Sequence, residues 1–303
     1  MNAPSAPAPH FNAGFLYATG SYLLWGLFPF YWKLLVTVAP FEILTHRMLW
    51  SFVFVSGVCL LVRRGELIRL FKDRRALLIL GAAGFIVAVN WGLYIVAINT
   101  GHVLQASLGY YINPLIAILF GVVIFKERLT HIQKTATVLA ALGVLYFSIS
   151  YGSFPWLSVG MAVSFALYGA LKKKGGYPAT PALAVESTLV LPLALVFVVV
   201  TFLLPSHAFL DVTNSAGLGY SWVTTTLLMG GGIVTAVPLL LFSKGANSIP
   251  LSWMGFLQYI TPSMTLLLGV FVYGEPFTPA HVVCFSLIWA GLIMISIELF
   301  LGR

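Results

Sequence analysis

Charge is scarce in this sequence. Sixteen Lys and Arg and eight Asp and Glu make up 8% of 303 residues, against about 25% in a soluble globular domain. So little charge cannot cover a water-facing surface, which excludes an ordinary soluble fold. Cysteine is scarcer still. Cys59 and Cys284 lie inside apolar runs, with no metal-ligand spacing and no disulfide framework around them, and read as small packing residues. There is no Gly-x-x-x-x-Gly-Lys run, so no ATP-driven step lies within the chain. No paired acids and no Ser/His/Asp set fall on a water-facing element. The longest connection, about 15 residues at 205–219, leaves no room for a hidden catalytic domain. Neither an enzyme nor a cofactor or metal site is expected.

What is present is apolar: 60% of the residues, gathered into long runs. A run of about 20 residues crosses ~30 Å of hydrocarbon, so lipid is the expected solvent. The runs predict ten spans, at 14–36, 40–62, 75–98, 101–124, 131–150, 153–171, 180–204, 220–243, 250–273 and 278–300. Residues 1–12, rich in Pro and Ala, are expected to be a disordered tail. The first run is too long for a signal-peptide core and reads as a retained helix.

A net charge of +8 in a soluble protein would suggest nucleic acid. Here the basic residues sit in a few short loops. One set of loops holds Arg63, Arg64, Arg69, Lys72, Arg74, Arg75, Lys126, Arg128, Lys134, Lys172, Lys173, Lys174, Lys244 and Arg303; the opposite set holds Lys33 alone, and Arg47 lies within a span. Positive charge stays on the cytoplasmic side of a membrane. That puts both termini in the cytoplasm and removes nucleic acid as a partner. The stretch 63–75 reads as a loop that fixes topology and touches anionic lipid.

Shifted by 148 residues, the chain matches itself without gaps. Gly84 meets Gly232, Ala88 meets Ala236, Leu93 meets Leu241, and Asn99 meets Asn247. Tyr111 and Tyr259, Ile112 and Ile260, Pro114 and Pro262, Gly121 and Gly269, Glu127 and Glu275, Thr130 and Thr278, and Gly143 and Gly291 continue the series. Spans 3–5 therefore correspond to spans 8–10. Spans 1–2 and 6–7 match less clearly, Trp25-Gly26 resembling Tyr168-Gly169 at another offset. Five spans per copy is odd, so the second copy, 151–303, enters the membrane from the side opposite to the first, 13–150. The charges agree: Lys126-Glu127-Arg128 after span 4, but Gly274-Glu275-Pro276 after span 9. Inverted repeats of this kind typify secondary transporters.

The stretches YLLWGLFPFYWKLL, PFEILTHRMLWS, NWGLYIVAINTGHVLQASLGYYINPLIAILFGVVIFKERLT, SFALYGALKKK and TAVPLLLFSKGANSIPLSWMGFLQYITPSMTLLLGVFVYGEPFT cover nearly the whole chain. Together they resemble the RarD branch of the EamA family, within the drug/metabolite transporter superfamily. The resemblance implies an all-α integral membrane protein of ten transmembrane helices around a central cavity. It also implies movement of small organic solutes, amino-acid-like or amphenicol-like, across the bacterial inner membrane, with export as the leaning.

Polar side chains within spans face a bundle interior or a wet cavity, so they mark candidate sites. Ser107, Tyr110, Tyr111 and Pro114 share one helical face of span 4, opposite Gly255, Gln258, Tyr259 and Pro262 in span 9. Two such faces suit an amphipathic solute, with rings for stacking and hydroxyls and an amide for hydrogen bonds; the other reading is helix packing. Pro114 and Pro262 are expected to break their helices and free backbone carbonyls. Asn90, Trp91 and Tyr94 share a face of span 3, with Asn90 either on the substrate or bonding a neighbouring helix. Trp25 and Tyr168 read as cavity wall or interfacial belt. Glu42, His46 and Arg47 lie in span 2, and Glu186 in span 7; an Arg47–Glu186 pair is expected, either member of which would gate, bind a charged substrate group or carry a proton with His46, the other reading being that each is satisfied locally near a helix end. Thr130 and Thr278 read as helix caps beside Glu127 and Glu275. The sequence thus predicts a secondary transporter, a monomer or weak dimer in a lipid bilayer, with a small-molecule substrate. A non-transporting membrane sensor or assembly protein is the alternative.

Overall fold

The computed structural model describes residues 12–150, 152, 154–203, 221–274 and 277–301. The expected tail, the connection at 205–219, and Glu275 with Pro276 lie outside the described residues, apart from Asn12. Thirteen helices make up the described chain: α1 (Ala13–Gly26), α2 (Phe28–Lys33), α3 (Pro40–Val62), α4 (Arg64–Lys72), α5 (Arg74–Asn99), α6 (Val103–Phe125), α7 (His131–Ser150), α8 (Trp156–Gly175), α9 (Ala179–Leu203), α10 (Trp222–Ser248), α11 (Leu251–Gln258), α12 (Ile260–Tyr273) and α13 (Pro279–Leu301).

Local chemistry sets the helix starts. The Asn12 side chain accepts from the Gly14 amide at 2.8 Å, and Asp73 accepts from Arg75 and Ala76 at the head of α5. Thr130 and Gln133 cap α7 reciprocally, side chain to amide in both directions, as the sequence led one to expect of Thr130. Prolines set the breaks. Pro29 opens α2, so the first apolar run is two helices joined at Leu27. Pro262, lacking an N–H, stands just past Tyr259, where the ninth run divides into α11 and α12. Pro114, also expected to break its helix, does not: α6 stays continuous through it.

Eight stretches among the described residues are long and apolar enough to cross a membrane, against ten expected. The two that fall short have physical reasons. α1 is only 14 residues once the break at Leu27 is made, and α8 ends on Lys172, Lys173 and Lys174. The stretch 63–75, expected as a loop, contains a helix. In α4, Leu67 and Leu70 are one turn apart and buried, and the helix packs on α9 while Arg69 and Lys72 stay exposed. Elsewhere the outer faces are bare hydrocarbon, with Leu61 88% and Phe271 80% exposed. Only lipid solvates such faces.

α10 packs on α1 and α3; α5 packs on α8 and α9; α6 lies against α8 and α11; α7 lies against α13, and α3 against α9. The close approaches are reciprocal. A Cβ added at Gly84 would strike Val190 of α9, and one at Gly232 would strike the backbone of Trp50 in α3. A Cβ at Gly143 would come 2.8 Å from the Cys284 carbonyl, and one at Gly291 would come 3.0 Å from the Ala136 carbonyl. Gly20 faces Leu241, and Gly160 faces Leu93. Gly84 and Gly232, Gly143 and Gly291, Ala136 and Cys284, and Leu93 and Leu241, each 148 residues apart, occupy corresponding places, while Gly20 and Gly160 correspond at an offset of 140.

Candidate functional site

One end of the bundle carries the start of α1 and the ends of α6, α8 and α10, together with most of the lysines. At this lysine-rich end the helices are tied shut. Lys172 of α8 and Glu186 of α9 form a buried ion pair at 2.5 Å, their side chains only 2% and 3% exposed, and the Tyr168 hydroxyl donates to the same carboxylate at 3.3 Å. Glu186 therefore pairs with Lys172 and not with Arg47. Lys172 is close enough because α8 and α9 adjoin in sequence through the turn after Gly175, so an ion pair joins neighbouring spans where one across the bundle was expected. Next to it, Glu127 turns both carboxylate oxygens onto the first amides of α11, at 2.7 Å to Leu251 and 2.8 Å to Ser252. A carboxylate at a helix N-terminus satisfies unpaired amides and meets the positive end of the dipole. Glu127 thus caps a helix of the other half, beyond the local turn expected of it. Lys173 donates to the Ile249 carbonyl at 2.7 Å and lies 3.7 Å from Glu127, which closes the set.

Above these contacts lies a layer of rings. Trp25 meets Phe165 at 5.5 Å and Phe242 at 5.6 Å; Tyr168 stacks on Phe242 at 5.7 Å and 15°; Tyr22 packs on Trp25 at 5.7 Å. Trp25 and Tyr168 therefore belong to one cluster, Tyr168 fully buried and Trp25 partly so. Beside the rings is a cavity of about 10 Å³, room for about one water, lined among others by Tyr22, Asn113, Phe165, Phe242 and Gln258. The Tyr22 hydroxyl and the Asn113 carbonyl oxygen are buried there without a protein partner. Gln258 was read from the sequence; Tyr22 and Asn113 were not. The signal for Asn113 is the one used for Asn90, a neutral amide at mid-span, three residues beyond Tyr110 on the same face.

Towards the opposite end, charge and aromatic rings gather around Arg47. Its Nε donates to the Thr235 hydroxyl of α10 at 2.9 Å, and its guanidinium carbon lies 4.8 Å from the ring centres of both Trp32 and Trp91. Tyr94 and Tyr110, 6.2 Å apart ring to ring, stand within electrostatic reach of it. Five helices supply this group: α2, α3, α5, α6 and α10. Trp91, Tyr94, Tyr110 and Arg47 come from the sequence-derived set, whereas Trp32 and Thr235 do not. Tyr110 is 41% exposed although it faces Tyr94 and Arg47.

The remaining candidates are committed elsewhere. The Asn90 amide nitrogen donates to the Met161 carbonyl at 2.7 Å and to Ser164 at 2.9 Å, bonding α5 to α8; of its two readings this is the helix-to-helix one. Tyr111 packs on Phe147 and Phe285, and Tyr259 is buried with it, its hydroxyl 3.4 Å from the Tyr111 carbonyl. Both face α7 and α13, away from the central cavity. Ser107 donates to the Tyr111 hydroxyl at 3.4 Å. His46 accepts from Trp50 of its own helix and lies 4.0 Å from Glu42. The Pro114 carbonyl abuts Gly255, where a Cβ would come within 2.7 Å, so α6 and α11 nearly touch beside the cavity, and Pro262 is buried at the start of α12. Thr278 bonds His281 at 2.7 Å.

A family model described as the EamA-like transporter family matches residues 12–149. An uncharacterized transporter YojE of Bacillus subtilis is 41% identical over 93% of this chain and 93% of its own. Protein RarD of Streptomyces exfoliatus is 40% identical over 94% of this chain and 88% of its own. One solved crystal structure superposes with a TM-score of 0.70 over 94% of this chain and 96% of that one; at 16% identity the likeness speaks for the fold alone.

Proposed function

The chain belongs to the RarD branch of the EamA-like transporter family, and from that premise we propose how it works. It is a multi-pass membrane transporter of the drug/metabolite type. Our reading is a secondary transporter of the bacterial cytoplasmic membrane with ten spans, α1 with α2 counting as the first and α11 with α12 as the ninth. Two inverted five-span halves rock around a central solute site. The reciprocal glycine contacts and the 148-residue self-match support the two halves. The lysine-rich end is cytoplasmic by its charge, and both termini lie on that side.

One observation carries the reading: the bundle is tied shut at its lysine-rich end, while an exposed tyrosine stands near Arg47 towards the other. The ion pair, the Glu127 cap and the ring layer close the lysine-rich end, and Tyr110, within electrostatic reach of Arg47, is 41% exposed. Closure at one end is what one limb of an alternating-access cycle requires. Solutes of the amino-acid-like or amphenicol-like kind fit the aromatic lining, and export is the direction implied by the family.

Purified protein in liposomes, loaded with labelled amino acids, amphenicols or nucleoside-like metabolites, tests this. Counterflow above protein-free liposomes for at least one class is expected. Flux of none, with tight binding of a protein partner instead, would replace the transporter by a membrane sensor or assembly protein.

A further inference from the structure

We propose that Arg47 is the docking residue for an anionic group, and that the solute is a small organic acid whose carboxylate it holds. This rests on the transporter reading and names the substrate class of that central site. A guanidinium carries five N–H donors in a planar fork. Here Nε alone is used, by Thr235. Among the described residues the terminal nitrogens of Arg47 make no hydrogen bond, and Arg47 is only partly buried. Among the described residues no carboxylate pairs with Arg47, and the only groups whose charge bears on it are the phenols of Tyr94 and Tyr110. About seven residues into α3, or ~10 Å from its start, an arginine without a counter-charge is costly.

The clamps on this side chain set its geometry. The Thr235 bond fixes Nε, and Trp32 and Trp91 hold the guanidinium at 4.8 Å. Gly231 of α10 lies against this group: a Cβ there would sit in ordinary contact with the Trp32 ring at 3.5 Å and Arg47 at 3.8 Å. What remains free is the edge of the fork that bonds a planar oxyanion bidentately. Tyr94 and Tyr110 lie beside it as a wall for an apolar or aromatic body, and Tyr110 is 41% exposed. Neutral amphenicols lack the group that this site selects.

The test compares 3-phenylpropionate with 3-phenylpropionamide, which share a body and differ in the anionic group. Two readouts are taken on the purified full chain: the rise in unfolding temperature on adding each probe, and counterflow in liposomes. The acid is expected to bind at least about tenfold tighter than the amide, the range of a charge-assisted hydrogen bond. Arg47→Gln should abolish that preference, and Arg47→Lys should retain part of it, because it keeps the charge and loses the fork. Equal response to acid and amide, including no response to either, overturns the proposal, as does a preference undiminished in Arg47→Gln. Should Arg47→Gln fail to fold, the wild-type comparison and Arg47→Lys still decide. The two readings fail separately. Acid-selective binding without flux of any solute removes the transporter and keeps the anion site; flux of neutral solutes with no acid preference removes the site and keeps the transporter.

Discussion

Single residues carry contrasting energetics at the lysine-rich end. Lys126 ends α6 at φ 59°, in the left-handed region, and Gly274 ends α12 at φ 69°, 148 residues later. A side chain in that conformation costs about 1 kcal/mol, so Lys126→Gly should raise stability by about that amount in a thermal-unfolding assay. Lys172 is the opposite case. Replacing it with Met leaves Glu186 buried without its partner, and a broken buried pair costs about 3 kcal/mol. Lys172→Met should therefore destabilise markedly in the same assay, and adding Glu186→Gln should recover much of the loss. If both single changes prove neutral, the ion pair does not hold α8 to α9. At this scale the sequence was partly legible. Arg47 stood out because a charge deep in a span is rare, and its neighbours Trp91, Tyr94 and Tyr110 stood out as one-face sets. Trp32 and Thr235 did not, since α2 and α10 join the group only through packing of distant segments. Lys172 was counted among loop charges because the run after it, Lys173 and Lys174, looks like solvated surface; burial against Glu186 is a tertiary outcome.

Between elements, glycine sets the spacing. α7 and α13 approach so closely that Gly143 and Gly291 each face the other helix's backbone. Gly143→Leu forces them apart and should lower stability by about 1–3 kcal/mol. Gly57, inside α3 with nothing within 4 Å of an added Cβ, is the matched control. Gly57→Ala should be neutral or stabilising by up to about 1 kcal/mol, from helix propensity alone. Equal losses at both sites in a melting experiment would mean that close packing of α7 on α13 is not what Gly143 provides. The apolar runs foretold where most helices lie, because hydrocarbon thickness fixes their length. The break at Leu27 was not foretold, whereas the one at Tyr259 falls just before Pro262, which the sequence marked as helix-breaking. Prolines at 29, 114, 192, 238 and 262 look alike in sequence, yet α6, α9 and α10 absorb theirs and stay continuous. Helix α4 was hidden by its charges, although the i, i+3 spacing of Leu67 and Leu70 was on view.

For the whole molecule, the asymmetry between the two ends makes a labelling prediction. With Cys59 and Cys284 replaced by Ala, a cysteine at Tyr110 should react with a membrane-impermeant thiol reagent added outside sealed cells. A cysteine at Met254, beside the small central cavity, should react with the reagent from neither side at rest. Protection of Tyr110→Cys and labelling of Met254→Cys from the cytoplasm would reverse the assignment of open and closed ends. The indoles of Trp32 and Trp91 add an optical handle to that cycle. Both sit 4.8 Å from a fixed positive charge, and six other tryptophans complete the chain's eight. An indole's emission energy responds to the local electric field, so cancelling the guanidinium's charge shifts their spectrum. The protein thus carries a native fluorophore pair beside the proposed anion site, and the difference emission on solute addition should vanish in a Trp32→Phe, Trp91→Phe double variant.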